Sequence, residues 1–206
     1  MKKISRFLKW TGLVLLSVLI TVSVLTASRQ NLKFDAPYPD IRASRDTAVI
    51  AKGKHLVNAI AHYMDCHSLT NSDSILNLDK DVPLSGSVAS KLPVGTIYSA
   101  NITSDPVYGI GRFDDGQIAR VLRYGVHPDG TAVYDFMPFH NLSDEDLTAV
   151  ISYLRTQKPV PLKKQENQLN AIGKMVKAFL VKPVARLKIS NKKFKKIHQL
   201  HTENIS

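Results

Sequence analysis

From Trp10 to Ser28 the chain runs nineteen residues without a charged side chain, dominated by Leu, Val and Ile, and Lys2, Lys3, Arg6 and Lys9 stand immediately before it. A uniform stretch of that length is just long enough to cross the hydrocarbon core of a bilayer as a helix. Its end, Leu25-Thr26-Ala27-Ser28, makes a poor signal-peptidase site, so residues 1–29 are expected to stay as a single-pass anchor. The basic flank belongs on the cytoplasmic side, which places everything after Arg29 outside the cytoplasm, on the periplasmic face of a bacterial inner membrane.

The net charge of +11 is unevenly spread. Residues 31–158 carry 12 basic and 15 acidic groups, whereas residues 159–206 carry 11 basic and 2 acidic ones. The basic character therefore belongs to the ends, and a nucleic-acid partner is not expected for a domain outside the cytoplasm. The sequence divides into an anchor (1–29), an extended linker (30–46) with Asp35, Pro37, Pro39 and Asp40, a central domain (47–160), and a basic, partly amphipathic tail (161–206).

Three helices are predicted in the central domain. The first covers Thr47 to Tyr63, with Val49, Gly53, Leu56, Val57 and Ile60 on one face. The second starts at Asp114 with Gln117 as its capping-box partner and buries Ile118, Val121 and Leu122. The third starts at Ser143 with Asp146 in the matching position and buries Leu147, Val150, Ile151 and Leu154. Asp144, Glu145 and Asp146 suit the positive end of its dipole. No repeat and no strong strand alternation is visible, so the expected class is all-α with long loops.

The first helix runs into Tyr63-Met64-Asp65-Cys66-His67, which holds the only cysteine of the chain. The run matches a c-type haem attachment site, C-x-x-C-H, with tyrosine at the first cysteine position. A thiol adds to a haem vinyl group, and the adjacent imidazole reaches the iron. A haem would also give the long loops a flat apolar surface to pack on, through Val94, Ile97, Ile102, Ile110 and Phe113. Met137 follows in a loop before the third helix, where a soft thioether would complete a His/Met pair. Alone, Met137 reads as well as a core methionine.

Other chemistries fit less of the sequence. An unpaired Cys66 outside the cytoplasm could form an intermolecular disulfide. Cys66, His67, His62 and His55 cluster in sequence without a common zinc spacing. His127 and His140 flank the Met137 loop. Arg112, Arg120 and Arg123 are candidates for haem propionates or for a solvated helix face. Motifs for hydrolytic, phosphate-binding or zinc-protease chemistry are not found.

The order of motifs resembles class I c-type cytochromes, in particular the monohaem domains of membrane-bound cytochrome subunits of extracytoplasmic dehydrogenases. The resemblance runs from about Ala48 to Val160. It comprises Gly53-Lys54-His55-Leu56-Val57, Cys66-His67, Gly95-Thr96-Ile97-Tyr98-Ser99-Ala100-Asn101-Ile102-Thr103, and Gly109-Ile110-Gly111. It continues through Ile118 to Val126, Asp129-Gly130, Met137-Pro138-Phe139, Leu142 to Leu147, and Tyr153-Leu154-Arg155.

The resemblance implies one haem c held by Cys66, with His67 as proximal and Met137 as distal iron ligand. It implies Gly53 at a close helix crossing near Tyr153. Tyr63 departs from the pattern and limits attachment to a single thioether, as in the mitochondrial cytochromes of euglenozoans.

The implied function is that of an electron carrier and not an enzyme in its own right. It would link a dehydrogenase or quinol-oxidising complex to a terminal acceptor such as an oxidase. The alternative is a cytochrome-like domain with non-covalent haem or none, serving as an anchor or interaction subunit.

In the tail, Leu169, Ile172, Val176, Phe179 and Leu180 fall at helical spacing between Asn167 and Leu187, with Lys174, Lys177 and Lys182 interleaved and Pro183 ending the pattern. Such a helix either lies on a membrane surface or packs its apolar face on the domain.

Overall fold

The computed structural model describes residues 2–60, 63–69, 82–134 and 139–184. The apolar N-terminal run forms one continuous helix, α1 (Lys2–Ser28). It is long and apolar enough to cross a membrane, and none of its most apolar window is buried against the described residues.

The domain proper opens with α2 (Thr47–His55), whose first turn is capped by the Asp46 carboxylate accepting the Ala48 amide at 2.7 Å. The sequence predicts one α-helix through Tyr63. Instead, Leu56–Ile60 winds as a π-helix, and α3 (Tyr63–His67) follows. A π turn takes up an extra residue, so side chains beyond His55 leave the register of a straight α-helix. Val57, at 0% exposure, nonetheless points into the core.

The other two helices start where their caps predict. Asp114 and Gln117 form a complete capping box at the head of α4 (Asp115–Tyr124). Ser143 accepts the Asp146 amide at 3.0 Å to start α5 (Asp144–Thr156). Leu147, Val150, Ile151 and Leu154 are buried together with Ile118, Leu122, Leu84 and Phe139.

α2 crosses α5 at Gly53. A Cβ there would run into the Ala149 carbonyl and stand 2.9 Å from Tyr153 Cβ, so only glycine lets the two backbones meet. The Lys52–Asp146 ion pair at 2.7 Å closes the same crossing from its rim. α5 is tied to α4 by Arg155, which reaches Asp115 at 2.8 Å and donates to the carbonyls of Ile110 (3.2 Å) and Phe113 (2.6 Å).

A small sheet joins this helical unit. β1 (Ala89–Leu92) and β2 (Gly95–Tyr98) form an antiparallel hairpin, and β3 (Gln168–Leu169) pairs antiparallel with β2. Sequence reading misses it for a physical reason: every residue of β1 is exposed, so no face has to be apolar.

The segment before α2 runs extended along the domain. Phe34 donates its amide to Gly130 at 2.8 Å, Ala43 to Asp115 at 2.8 Å and Ser44 to Ser152 at 2.7 Å, and Ile41 enters the core. In the tail, α6 (Ala171–Phe179) begins behind an Asn170 cap and touches α1.

Candidate functional site

The short helix α3 carries Cys66 and His67 at its end, and the two neighbours have opposite environments. Cys66 is a free, exposed thiol. His67 is 5% exposed, and its Nδ1 lies 2.7 Å from the Ala100 carbonyl. A carbonyl only accepts, so Nδ1 carries the proton and Nε2 carries the ring's lone pair. Burial pushes the His67 pKa down, the bond to Ala100 works against that, and the ammonium of Lys164 adds to the lowering. The ring is a neutral base with one nitrogen fixed.

Gly86 sets this arrangement from behind. Its amide donates to the His67 carbonyl at 2.7 Å. A Cβ at Gly86 would run into the Ala100 carbonyl that receives the imidazole, and its φ of 72° lies in the left-handed region. A side chain at Gly86 would therefore meet both a steric and a backbone penalty.

The Ala100 loop is braced by its neighbour. Asn101, 3% exposed, donates to the carbonyls of Val160 (2.8 Å) and Leu162 (3.0 Å) and accepts from the Thr103 amide (3.0 Å) and hydroxyl (2.7 Å). The same segment is held at Ser87, which donates to Lys163 at 3.3 Å. Lys164 follows, and its charge adds to the lowering of the His67 pKa that burial dominates. Gly86 and Lys164 were not singled out from the sequence, and Asn101 entered only as one residue of the Gly95 to Thr103 run. Two adjacent glycine-or-small positions give no chemical signal, and Lys164 reads as one lysine of a basic tail.

Met137 and His62 lie outside the described residues, as does the ring of Tyr63. The flanks of the Met137 loop are described. Phe139 is buried in the core, and Tyr134, Phe139 and His140 line a shallow depression with Val121, Leu122, Gly125, Val133 and Val184. The Nδ1 of His140 is buried there without a hydrogen-bond partner among the described residues. His55 and His127 are exposed. Of the loop residues expected to surround a haem, Ile110 belongs to the protein core, Ile102 and Phe113 pack against it, and Ile97 is buried in β2.

The arginines expected near propionates have other partners. Arg120 and Arg123 are each 4% exposed, so a solvated helix face is not their place. Arg120 donates to the Tyr38 hydroxyl (3.0 Å), His127 carbonyl (3.3 Å) and Phe34 carbonyl (3.3 Å), fastening the extended segment onto α4. Arg123 pairs with Asp144 at 2.6 Å and donates to the Leu142 carbonyl at 3.2 Å. Arg112 stacks on Phe113, 4.6 Å from the ring centre.

A neutral, buried, pre-oriented imidazole beside an accessible thiol is a donor set that fits a covalently attached haem, since the thiol can be alkylated while the imidazole meets the metal. Comparison with known proteins points the same way. The chain is 35% identical over 121 residues to the cytochrome c subunit of the quinone alcohol dehydrogenase of Gluconobacter oxydans, a match covering 57% of this chain and 23% of that protein.

It is 31% identical over 157 residues to the fructose dehydrogenase cytochrome subunit of Gluconobacter japonicus, covering 74% of this chain and 30% of that protein. The gluconate 2-dehydrogenase cytochrome c subunit of Pantoea cypripedii is 31% identical over 134 residues, 64% of this chain and 27% of that one. The chain thus spans less than a third of the length of each of these relatives. No protein-family model matches it. The similarities support a relationship to cytochrome c.

Proposed function

We propose that this chain is a membrane-anchored, monohaem c-type cytochrome, with its haem held by a single thioether to Cys66 and ligated by His67 and Met137. The observation that carries this is the pairing of an exposed Cys66 with a buried His67 whose Nδ1 is committed to Ala100. A structural core does not call for a desolvated imidazole with its lone-pair nitrogen fixed beside a surface thiol. A metal-ligating histidine does, and the partner on its second nitrogen also raises its basicity.

When bound, the haem supplies a one-electron Fe(III)/Fe(II) couple. This chain's residues position and tune it. Ala100 and Gly86 fix the imidazole, Asn101 stiffens the loop that carries Ala100, and Met137 as a neutral thioether favours a high potential. If His67 and Met137 both hold the haem iron, no position would be left there for a substrate, which suits a carrier and not a catalyst.

Relatives that are cytochrome subunits of dehydrogenases support a dehydrogenase as the electron donor. A quinol-oxidising complex or terminal oxidase would be the other partner. α1 would cross a bacterial inner membrane once, its basic end in the cytoplasm and the domain in the periplasm. An equilibrium redox titration of the full chain in detergent tests the proposal. One single-electron transition is expected, lowered in potential by Met137→Ala and abolished by His67→Ala. Absence of any transition, or one indifferent to His67→Ala, contradicts it.

A further inference from the structure

The helix α6 is attached to the protein by its small residues and its two ends; Val176 and Phe179 are half-buried, and its other large apolar residues turn outward. Gly173 lies under the Val94 carbonyl, where a Cβ could not fit, and Ala178 is 2% exposed. Ile172 (61%), Met175 (45%) and, just past the helix, Leu180 (72%) are exposed. A helix resting on a water-soluble domain has the reverse distribution, with its bulky apolar side chains inward.

Position explains the inversion. At the start of α6, Asn170 caps the helix and donates to the Pro93 carbonyl at 2.8 Å. Farther along, α6 is bonded to the turn that follows α1: Gln30 donates to the Lys174 carbonyl at 2.9 Å and Arg29 to the Ala178 carbonyl at 3.2 Å. The Arg29 guanidinium also sits 5.4 Å from the centre of the Phe179 ring.

The nineteen-residue uncharged run of α1 ends at Ser28. Its helical length of about 28 Å is close to the thickness of a bilayer core. Arg29 and Gln30 therefore mark the level of the lipid headgroups, and α6 is fixed beside them. On α1, Val24 (61%) and Leu25 (47%) near its C-terminal end are likewise apolar and exposed, and α6 contacts α1. The segment 167–184 carries Lys174, Lys177 and Lys182 and no acidic residue.

From this geometry we infer that α6 is an interfacial helix, lying in the outer surface of the bilayer that α1 crosses. Its apolar face enters the upper acyl region, and its lysines reach the headgroup phosphates. This rests on α1 spanning the membrane. It gives the domain a second, lateral contact with the membrane, and the β1–β2 hairpin is joined to that contact through Asn170 and Gly173.

The test is depth-dependent fluorescence quenching on the full chain in vesicles of phosphatidylcholine and phosphatidylglycerol, with lipids brominated high on the acyl chains. Native Trp10, the only tryptophan, reports α1. Trp10→Phe/Ile172→Trp and Trp10→Phe/Leu180→Trp report α6 at exposed positions that tolerate the larger ring. The expected result is blue-shifted emission from both α6 probes, with most of the intensity lost to brominated lipid. Quenched Trp10 with solvent-like α6 probes would overturn the inference while leaving the anchor in place. Blue-shifted α6 probes untouched by bromine would overturn it in favour of a protein cover. Unquenched Trp10 would remove the anchor and this inference together.

Discussion

His67 donates its Nδ1 proton to the Ala100 carbonyl across 2.7 Å, joining the end of α3 to a loop 33 residues further along the chain. That one bond sets the tautomer and the plane of the ring. It makes the chemistry of the candidate site depend on a backbone atom, and hence on whatever holds that backbone still.

Gly86 is the first such support. Gly86→Ala would place a methyl group against the Ala100 carbonyl at a φ of 72°. Overpacking of this kind costs about 1–3 kcal/mol. The expected outcome is a lower urea midpoint together with a smaller fraction of haem-loaded protein, read by absorbance against total protein. Full haem loading at unchanged stability would show that Gly86 does not position His67.

Asn101 is the second. Asn101→Ala removes four hydrogen bonds at a residue 3% exposed and takes the acceptor from the fully buried Thr103 amide and a donor from the Leu162 carbonyl, while the Val160 carbonyl keeps the Leu162 amide. A loss of about 2–4 kcal/mol is expected, since each unsatisfied buried group costs roughly 1–3 kcal/mol and part of the gap relaxes. Chemical denaturation measures it, and a loss under about 0.5 kcal/mol, the size of an ordinary surface change, would contradict the bracing role.

The helices α4 and α5 were legible because their signals are local. Asp114 with Gln117 and Ser143 with Asp146 announce their helices, and apolar spacing identifies the faces they bury. Gly53 against Tyr153 was legible only through family resemblance, since nothing in one sequence says which glycine meets which helix. The buried roles of Arg120, Arg123 and Arg155 were not legible. Each depends on backbone carbonyls such as Phe34, Leu142 and Phe113, brought close by the fold. The π-helix at Leu56–Ile60 and the exposed β1 likewise leave no periodic trace.

Arg155 gives a quantitative check on that hidden network. Its guanidinium and the Asp115 carboxylate are 25% and 18% exposed, so the pair is only partly screened. Arg155→Met is expected to cost about 1.5–3 kcal/mol, the range for hydrogen bonds to charged groups. A double-mutant cycle with Asp115→Asn should return a coupling of about 0.5–3 kcal/mol. Simple additivity would show that the pair contributes no stability of its own.

Acid stability follows from two carboxylates. Asp105 is held below the ordinary 3.8 by the amides of Tyr108, Val107 and Gly109, against its partial desolvation. For Asp129, desolvation works upward, but the Thr131 hydroxyl and amide and the Lys33 ammonium outweigh it and hold the group at about 2. Both pKa values lie below the unfolded one, so their stabilisation is present above pH 3.8 and is lost as pH falls towards about 2. Asp105→Asn and Asp129→Asn should flatten the drop in denaturation midpoint across that window. An unaltered drop in both variants would assign acid lability elsewhere.

The central claim is that Cys66 binds haem covalently and alone. Its most direct test is a reduced pyridine haemochrome spectrum on the full chain purified from membranes, with acidic acetone extraction alongside and Cys66→Ser as comparison. Haem that resists extraction, with an α-band to the red of two-thioether cytochromes and with resistance lost in Cys66→Ser, is the predicted result. Haem that extracts freely from the unaltered chain, or no haem at all, would contradict it.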